Sequence, residues 1–378
     1  MKRIFLLLLL LAAPLAAEEY ERGKIVDRLA CAGDPSQTYA YYLPATYTAD
    51  RRWPIVYVFD PRQRGAFAAE LFRDAAEEYG WIVVSSNDTR SDGPWEPNEK
   101  ALRAMWPDAQ RRFAVDPRRI YASGFSGGAM LAWSLARSTR AVAGVIGCSG
   151  RLESPGDADG VAFDWFGTAG DTDFNYLETR AIDDRLTANH RFESFAGGHR
   201  WAPRELLRQA MGWMELQAMR RGARPRDEAL IAKLLREELA VTGGDELAVS
   251  RRREAIARTF AGLAEVPKSA VDPKMIARLQ KDEQRAFDFE RGHRARMPGA
   301  MNDFLAARDR QPPTTLLASL QVPALKRIAA ESTYRGAAAR RVLAVIKVQL
   351  GFYLPQDLRG RGEARLAADL EALAQEIQ

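Results

Sequence analysis

Arg119-Ile-Tyr121-Ala-Ser-Gly124-Phe125-Ser126-Gly127-Gly128-Ala129-Met130 is the stretch that decides how this chain is read. Ile120, Tyr121 and Phe125 predict a strand over 119–125, and the run from Gly127 to Arg137 predicts a helix, so Ser126 falls on the turn between them. The turn has the form G-x-S-x-G. A strained strand-to-helix turn lifts a serine oxygen above a sheet, and its glycines remove side chains that would clash there. The start of the following helix offers the backbone N–H of Gly127 to a developing oxyanion. A bare pentapeptide of this kind also arises as an ordinary glycine-rich turn. Its position between a strand and a helix favours the chemical reading.

A serine hydroxyl needs a general base, and the chain holds three histidines. His199 lies in Phe195-Ala-Gly-Gly-His199-Arg-Trp201, after a predicted strand (191–195) and before a predicted helix (203–220), where a base reaches back over the sheet. His190 precedes the same strand and belongs at its other end. His293 lies far downstream among arginines. The acid that orients the imidazole is expected between serine and histidine in chain order. Gly167-Thr-Ala-Gly170-Asp171-Thr-Asp173-Phe174-Asn-Tyr176 follows a predicted strand and offers both Asp171 and Asp173. Asp171 serves equally well to hold the turn or cap a helix. The residues by themselves leave both acids open.

Farther out, strands at 54–60, 81–85, 143–148 and 161–167 alternate with helices at 65–79, 99–113 and 176–189. That alternation predicts an α/β fold, a mostly parallel sheet with helices on both faces, occupying residues 18–221. Leu207, Ala210, Met211 and Met214 recur at helical spacing and give the last helix an apolar stripe. Beyond Gly222-Ala-Arg-Pro225 no strand pattern returns. Ile231, Leu234, Leu235 and Leu239 make one stripe, and Leu366, Leu370, Leu373 and Ile377 another. Pro267, Pro273, Pro298, Pro312, Pro313, Pro323 and Pro355 are expected to punctuate residues 222–378 into short helices. The result is an all-helical second domain with a hint of degenerate helix-pair repeats and no fixed period.

The serine motif, the Gly-Gly-His199-Arg-Trp segment and the Asp-bearing turn resemble those of exported esterases in the polyhydroxybutyrate depolymerase and feruloyl esterase branch of the α/β hydrolases. The resemblance spans residues 39 to 220 and leaves the helical half outside. It implies an α/β-hydrolase fold and ester cleavage through a serine nucleophile. Gly167-Thr-Ala is similar to that branch's turn before its acid, and Asp173-Phe-Asn-Tyr to the acid-bearing portion in related hydrolases, which favours Asp173. The triad implied is Ser126, His199 and Asp173. Such esterases usually carry His-Gly after the strand that supplies a second oxyanion donor, whereas this chain has Asp60-Pro61-Arg62. Proline has no N–H, so the donor is expected at Arg62 or a neighbour. Trp95, Phe125 and Trp201 are candidate substrate-binding aromatics, although aromatics at strand ends often serve packing alone.

Composition narrows the alternatives. Hydrophobic residues make up 47% and charged ones 28%, ordinary for a globular protein. The net charge of +5, to which Lys2 and Arg3 contribute two, is carried by arginines spread along helical stretches. Runs such as Arg251-Arg252-Arg253 read as solvated helix faces, and no nucleic-acid partner is expected. Met1-Lys2-Arg3, the apolar run Ile4–Ala13 and Pro14-Leu-Ala-Ala17 have the layout of a signal peptide cleaved after Ala17, giving an exported protein, periplasmic or secreted. The apolar run is too short for a span of ~20 residues, so no stable membrane insertion is expected. Cys31, placed in a loop, and Cys148, at the end of a buried strand, are either bridged or simply buried. With scattered histidines they give no metal-ligand spacing, and no cofactor is implied. Hydrolysis of a small or polymeric ester is the leading expectation. The alternatives are a peptidase of the same fold and a non-catalytic scaffold whose helical domain docks a protein partner.

Overall fold

A computed structural model describes residues 20–267, 272–308 and 310–377. The segment 1–17 read as a signal peptide lies outside them. The first elements are an antiparallel hairpin, β1 (Ile25–Cys31) and β2 (Asp34–Tyr42). The sequence reading began its strands later and set Cys31 in a loop; the structure makes Cys31 the buried last residue of β1. Register shifts after Val26 and after Ala30 break the alternation that would have marked this strand. Cys31 and Cys148 are both free, buried thiols.

Thereafter strand and helix alternate: β3 (Trp53–Phe59), α1 (Gly65–Tyr79), β4 (Ile82–Ser86), α2 (Glu96–Arg112), β5 (Val115–Phe125), α3 (Gly127–Thr139), β6 (Gly144–Cys148), β7 (Asp164–Gly170), α4 (Tyr176–Asp183), β8 (His190–Phe195) and α5 (Arg204–Arg220). β3, β4, β6 and β7 are buried along their whole length, as near-continuous apolar strands covered on both faces must be. Side chains alternate between two cores. Ile55, Tyr57 and Phe59 meet Met105 of α2 and Leu131 of α3 on one side; Val56 and Val58 meet Phe72 of α1 and the Leu207/Ala210/Met211/Met214 stripe of α5 on the other.

The eight strands lie in the order β1-β2-β4-β3-β5-β6-β7-β8, with β3 to β8 parallel. This is the layout of the α/β-hydrolase fold. The chain runs outward from β3 to β4, then returns and runs the other way from β5 to β8. The connections after β3 and β5 therefore diverge, and a crevice opens at the carboxyl ends of these strands. Asp60 stands at one lip and Ser126 at the other.

The second half is helical: α6 (Glu228–Ala240), α7 (Glu246–Phe260), α8 (Pro273–Ala307), α9 (Thr315–Ser319), α10 (Val322–Ala329), α11 (Tyr334–Val348), α12 (Leu354–Gly360) and α13 (Ala364–Gln375). Asp227, Asp245, Asp272 and Thr333 cap α6, α7, α8 and α11 by accepting backbone N–H bonds in the first turn. Pro273 and Pro323 sit in first turns, where their missing N–H costs little, whereas Pro355 directly follows the π turn Gln349–Tyr353 that joins α11 to α12. Pro298 does not break the chain as expected: it lies inside the 35-residue α8. Met297, Met301 and Phe304 on both sides of it are buried against α11, so tertiary packing outweighs the one lost helical bond. The halves share a core, for Leu216 and Met219 of α5 cluster with Ile231 and Leu234 of α6 and Ile256 and Phe260 of α7.

Candidate active site

Ser126 is held at φ +54°, ψ −122° between β5 and α3, a conformation that a non-glycine residue adopts only when its surroundings impose it. Gly124 and Gly128 make that possible. A Cβ on Gly124 would stand 2.0 Å from the carbonyl oxygen of Gly128, and one on Gly128 2.1 Å from that of Phe59. Side chains at either position would push the turn off the sheet.

Three segments converge on this serine. Ser126 Oγ lies 2.9 Å from His199 Nε2, and His199 Nδ1 lies 2.9 Å from Asp173 Oδ1. An ionised carboxylate can only accept, so Nδ1 carries the imidazole hydrogen and Nε2 accepts from the serine hydroxyl. The same Asp173 oxygen takes the Asn175 N–H at 2.7 Å, while Oδ2 is buried without a hydrogen-bond partner. The two candidate acids separate cleanly. Asp171 accepts the backbone N–H of Gly197 at 2.9 Å, tying its turn to the histidine loop, and only Asp173 reaches the ring. His190 opens β8 at the amino end, with Nδ1 2.8 Å from the carbonyl of Ala188. His293 lies on α8 beside Phe289 and Gln321.

As the first residue of α3, Gly127 has no intrahelical acceptor for its N–H. Arg62 is arranged otherwise than expected. Its N–H donates to Asp60 Oδ1 at 2.9 Å, closing a turn over Pro61, and is not free to serve as an oxyanion donor in this arrangement. Asp60, which sequence reasoning passed over, organises this side of the crevice. Fully buried, it also accepts from Arg64 through both oxygens and from Trp201 Nε1 at 2.8 Å. A buried acid at the end of a parallel strand was the available signal, since such a group must be paired.

The aromatic residues divide accordingly. Trp201 is 7% exposed and braces Asp60, so its place is under the site and not on a substrate-facing wall. Phe125 is 6% exposed, its ring 4.6 Å from that of His199 and 5.8 Å from that of Trp201, which makes it the floor beneath the imidazole. Phe174 closes the other side, 4.0 Å from the His199 ring. Trp95 is 37% exposed at the start of α2, four residues past Ser91, whose side chain packs on Gly127. It alone of the three candidates stands open to solvent. Among the described residues no group of His, Cys, Asp and Glu gathers as a metal site, and no helix is long and apolar enough to cross a membrane.

No family model matches the sequence, and no curated protein matches it. Solved structures similar to part of it include a ferulic acid esterase, 16% identical over 50% of this chain and 95% of that one, with a TM-score of 0.41. Est1E from Butyrivibrio proteoclasticus is 13% identical over 51% and 98% of the two chains, with a TM-score of 0.41. An S-formylglutathione hydrolase from Staphylococcus aureus is 14% identical over 52% and 98%, with a TM-score of 0.43.

Proposed function

We propose that this protein is an exported serine hydrolase that cleaves carboxylic esters through an acyl-enzyme. The observation that carries the reading is the continuous hydrogen-bonded line from Ser126 Oγ through His199 to Asp173, with each heavy-atom step at 2.9 Å. In the first step His199 Nε2 takes the serine proton as Oγ attacks the ester carbonyl, and Asp173 stabilises the imidazolium that forms. The Gly127 N–H meets the developing oxyanion; the Arg62 N–H joins it only by leaving Asp60. The imidazolium then protonates the leaving alcohol. Water then gives a proton to the same nitrogen and attacks the acyl group; the bond to Oγ breaks, the imidazolium returns the proton to Ser126 Oγ, and the acid is released.

The test is labelling of the purified mature protein with a fluorophosphonate probe, alongside hydrolysis of a panel of p-nitrophenyl esters and peptide amides. Wild type is expected to label and to turn over esters. Ser126→Ala is expected to fold, fail to label and lose turnover by roughly 10³-fold or more. Retained ester hydrolysis by a folded Ser126→Ala variant would end the proposal. Export rests on Lys2, Arg3 and the apolar run to Ala17, and an N-terminus at Glu18 in protein recovered from outside the cytoplasm is the outcome expected.

A further inference from the structure

The loop that carries Asp173 is held from two sides. On the sheet side, Asp171 N–H bonds the carbonyl of Phe195, Thr172 N–H that of Gly197, and Asn175 Nδ2 that of Ser149. On the other side it is gripped by the helical half. Arg341 of α11 donates from Nη1 to the carbonyl of Asp171 at 3.2 Å, and Arg294 of α8 donates from Nη2 to the carbonyl of Phe174 at 2.5 Å. These two carbonyls bracket Asp173 in the chain.

The two guanidiniums are themselves fixed. Glu290 of α8 is fully buried, with Oε2 2.8 Å from Arg341 Nε and Oε1 3.6 Å from Arg294 Nη1. Arg341 is buried and stacks over the ring of Tyr176, 4.5 Å from its centroid. Arg294 also pairs with Glu178 on α4 at 3.0 Å. Phe174, the ring against His199, packs on the apolar core of the helical half. Asp173 is held through one oxygen alone, by the Asn175 N–H and His199, while the other is buried and unpartnered, so its aim depends on the backbone that carries it.

We propose that Arg341 and Arg294, seated on Glu290, are positioning residues that aim Asp173 and Phe174 at His199, so that the helical half completes the catalytic centre without touching substrate. This rests on the hydrolase reading above and extends it to residues outside the sheet-bearing half. A purely structural clamp would change stability and leave the turnover of folded enzyme alone. A positioning clamp acts through Asp173 and must lower kcat while leaving KM in place.

The experiment uses the full-length mature chain and p-nitrophenyl acetate. Removing Arg341 alone would leave the buried Glu290 with only Arg294, 3.6 Å away, so the principal variant is the pair Glu290→Met/Arg341→Met, with Arg294→Gln as a second probe on the more exposed arginine. For each folded variant, kcat is expected to fall by roughly 10- to 100-fold with KM within about twofold. In an Asp173→Asn background the same substitutions are expected to add almost nothing, because the path they act through is already cut. Wild-type kcat in a folded pair variant, or losses that multiply with Asp173→Asn, would overturn the proposal. If the pair variant does not fold, Arg294→Gln decides by the same two criteria. Ser126→Ala, assayed in parallel, separates the failures. Activity surviving there sinks the hydrolase reading itself; activity lost there but intact in the arginine variants sinks only the positioning role.

Discussion

Adjacent glycines in the serine turn carry different duties. The space a methyl at Gly128 would need is held by the main-chain oxygen of Phe59, 2.1 Å away, and a strand cannot withdraw without unzipping its neighbours. The obstacle at Gly127 is the side chain of Ser91, 2.5 Å away in a connection at the crevice rim. Gly128→Ala is therefore expected to abolish soluble folded protein. Gly127→Ala is expected to fold with the rim displaced and kcat lowered by up to ~10². Far-ultraviolet circular dichroism and probe labelling of the two variants check this, and equal behaviour would mean that the crevice rim is as rigid as the sheet. The serine turn and the histidine loop were legible because each is written in a few consecutive residues whose types the chemistry dictates. Asp60 and Trp201 were not, since their bond joins positions 141 apart in the chain and nothing local to either announces the other. That bond also explains why Trp201 looked like a pocket residue: it stands beside the site in sequence and beneath it in space.

Elements dock through buried charge as well as apolar stripes. Arg191 of β8, almost fully buried, makes a two-pronged bond to Glu238 of α6 at 2.7 and 2.9 Å. Burial pushes the Glu238 carboxyl up, but the charge and hydrogen bonds of Arg191, with a bond from Gln209 on α5 and the charge of Arg252 on α7, outweigh it and hold the carboxyl below its ordinary value of 4.5. A carboxyl lowered on folding contributes stability that is fully present above that ordinary value and is lost as pH falls through the folded-state value. Glu238→Gln is expected to cost about 1–3 kcal/mol near pH 7, because Arg191 loses one of its two carboxylate partners and keeps Glu193, 2.7 Å away. Thermal melts of both proteins between pH 7 and 3 should show the gap in Tm narrowing below pH 4.5, and a gap that does not change with pH would refute the assignment. At this scale the sequence was readable wherever a period was kept, as in the α5 stripe. It misled where packing overrode local preference, as at Pro298 inside α8, and where bulges scrambled the period, as in β1.

Across the whole molecule, residues 18–221 and 222–378 read as two domains because the pattern changes from alternating strands and helices to helices alone. The contacts do not divide there. Leu216 and Met219 on α5 share a cluster with α6 and α7, Arg191 finds Glu238 across the boundary, and Arg294 and Arg341 reach back to the loop of Asp173. Composition and periodicity report what each segment buries and are silent on which distant segment it buries it against; the bond from Arg341 to Asp171 spans 170 positions. A cut at 221 would uncover the apolar end of α5 and strip the buried Arg191 of one of its two counter-charges at the same stroke. Cooperativity should follow the contacts and ignore the change of pattern. Calorimetry of the mature chain is expected to give a single endotherm with equal calorimetric and van't Hoff enthalpies, and a chain ending at residue 221 is expected to yield no soluble folded protein. Two resolved transitions would refute the single cooperative unit, and a stable shortened chain that labels with a fluorophosphonate as fast as the full one would mean that the sheet-bearing half positions Asp173 by itself. The helical half would then have to be explained by something other than the loop it grips.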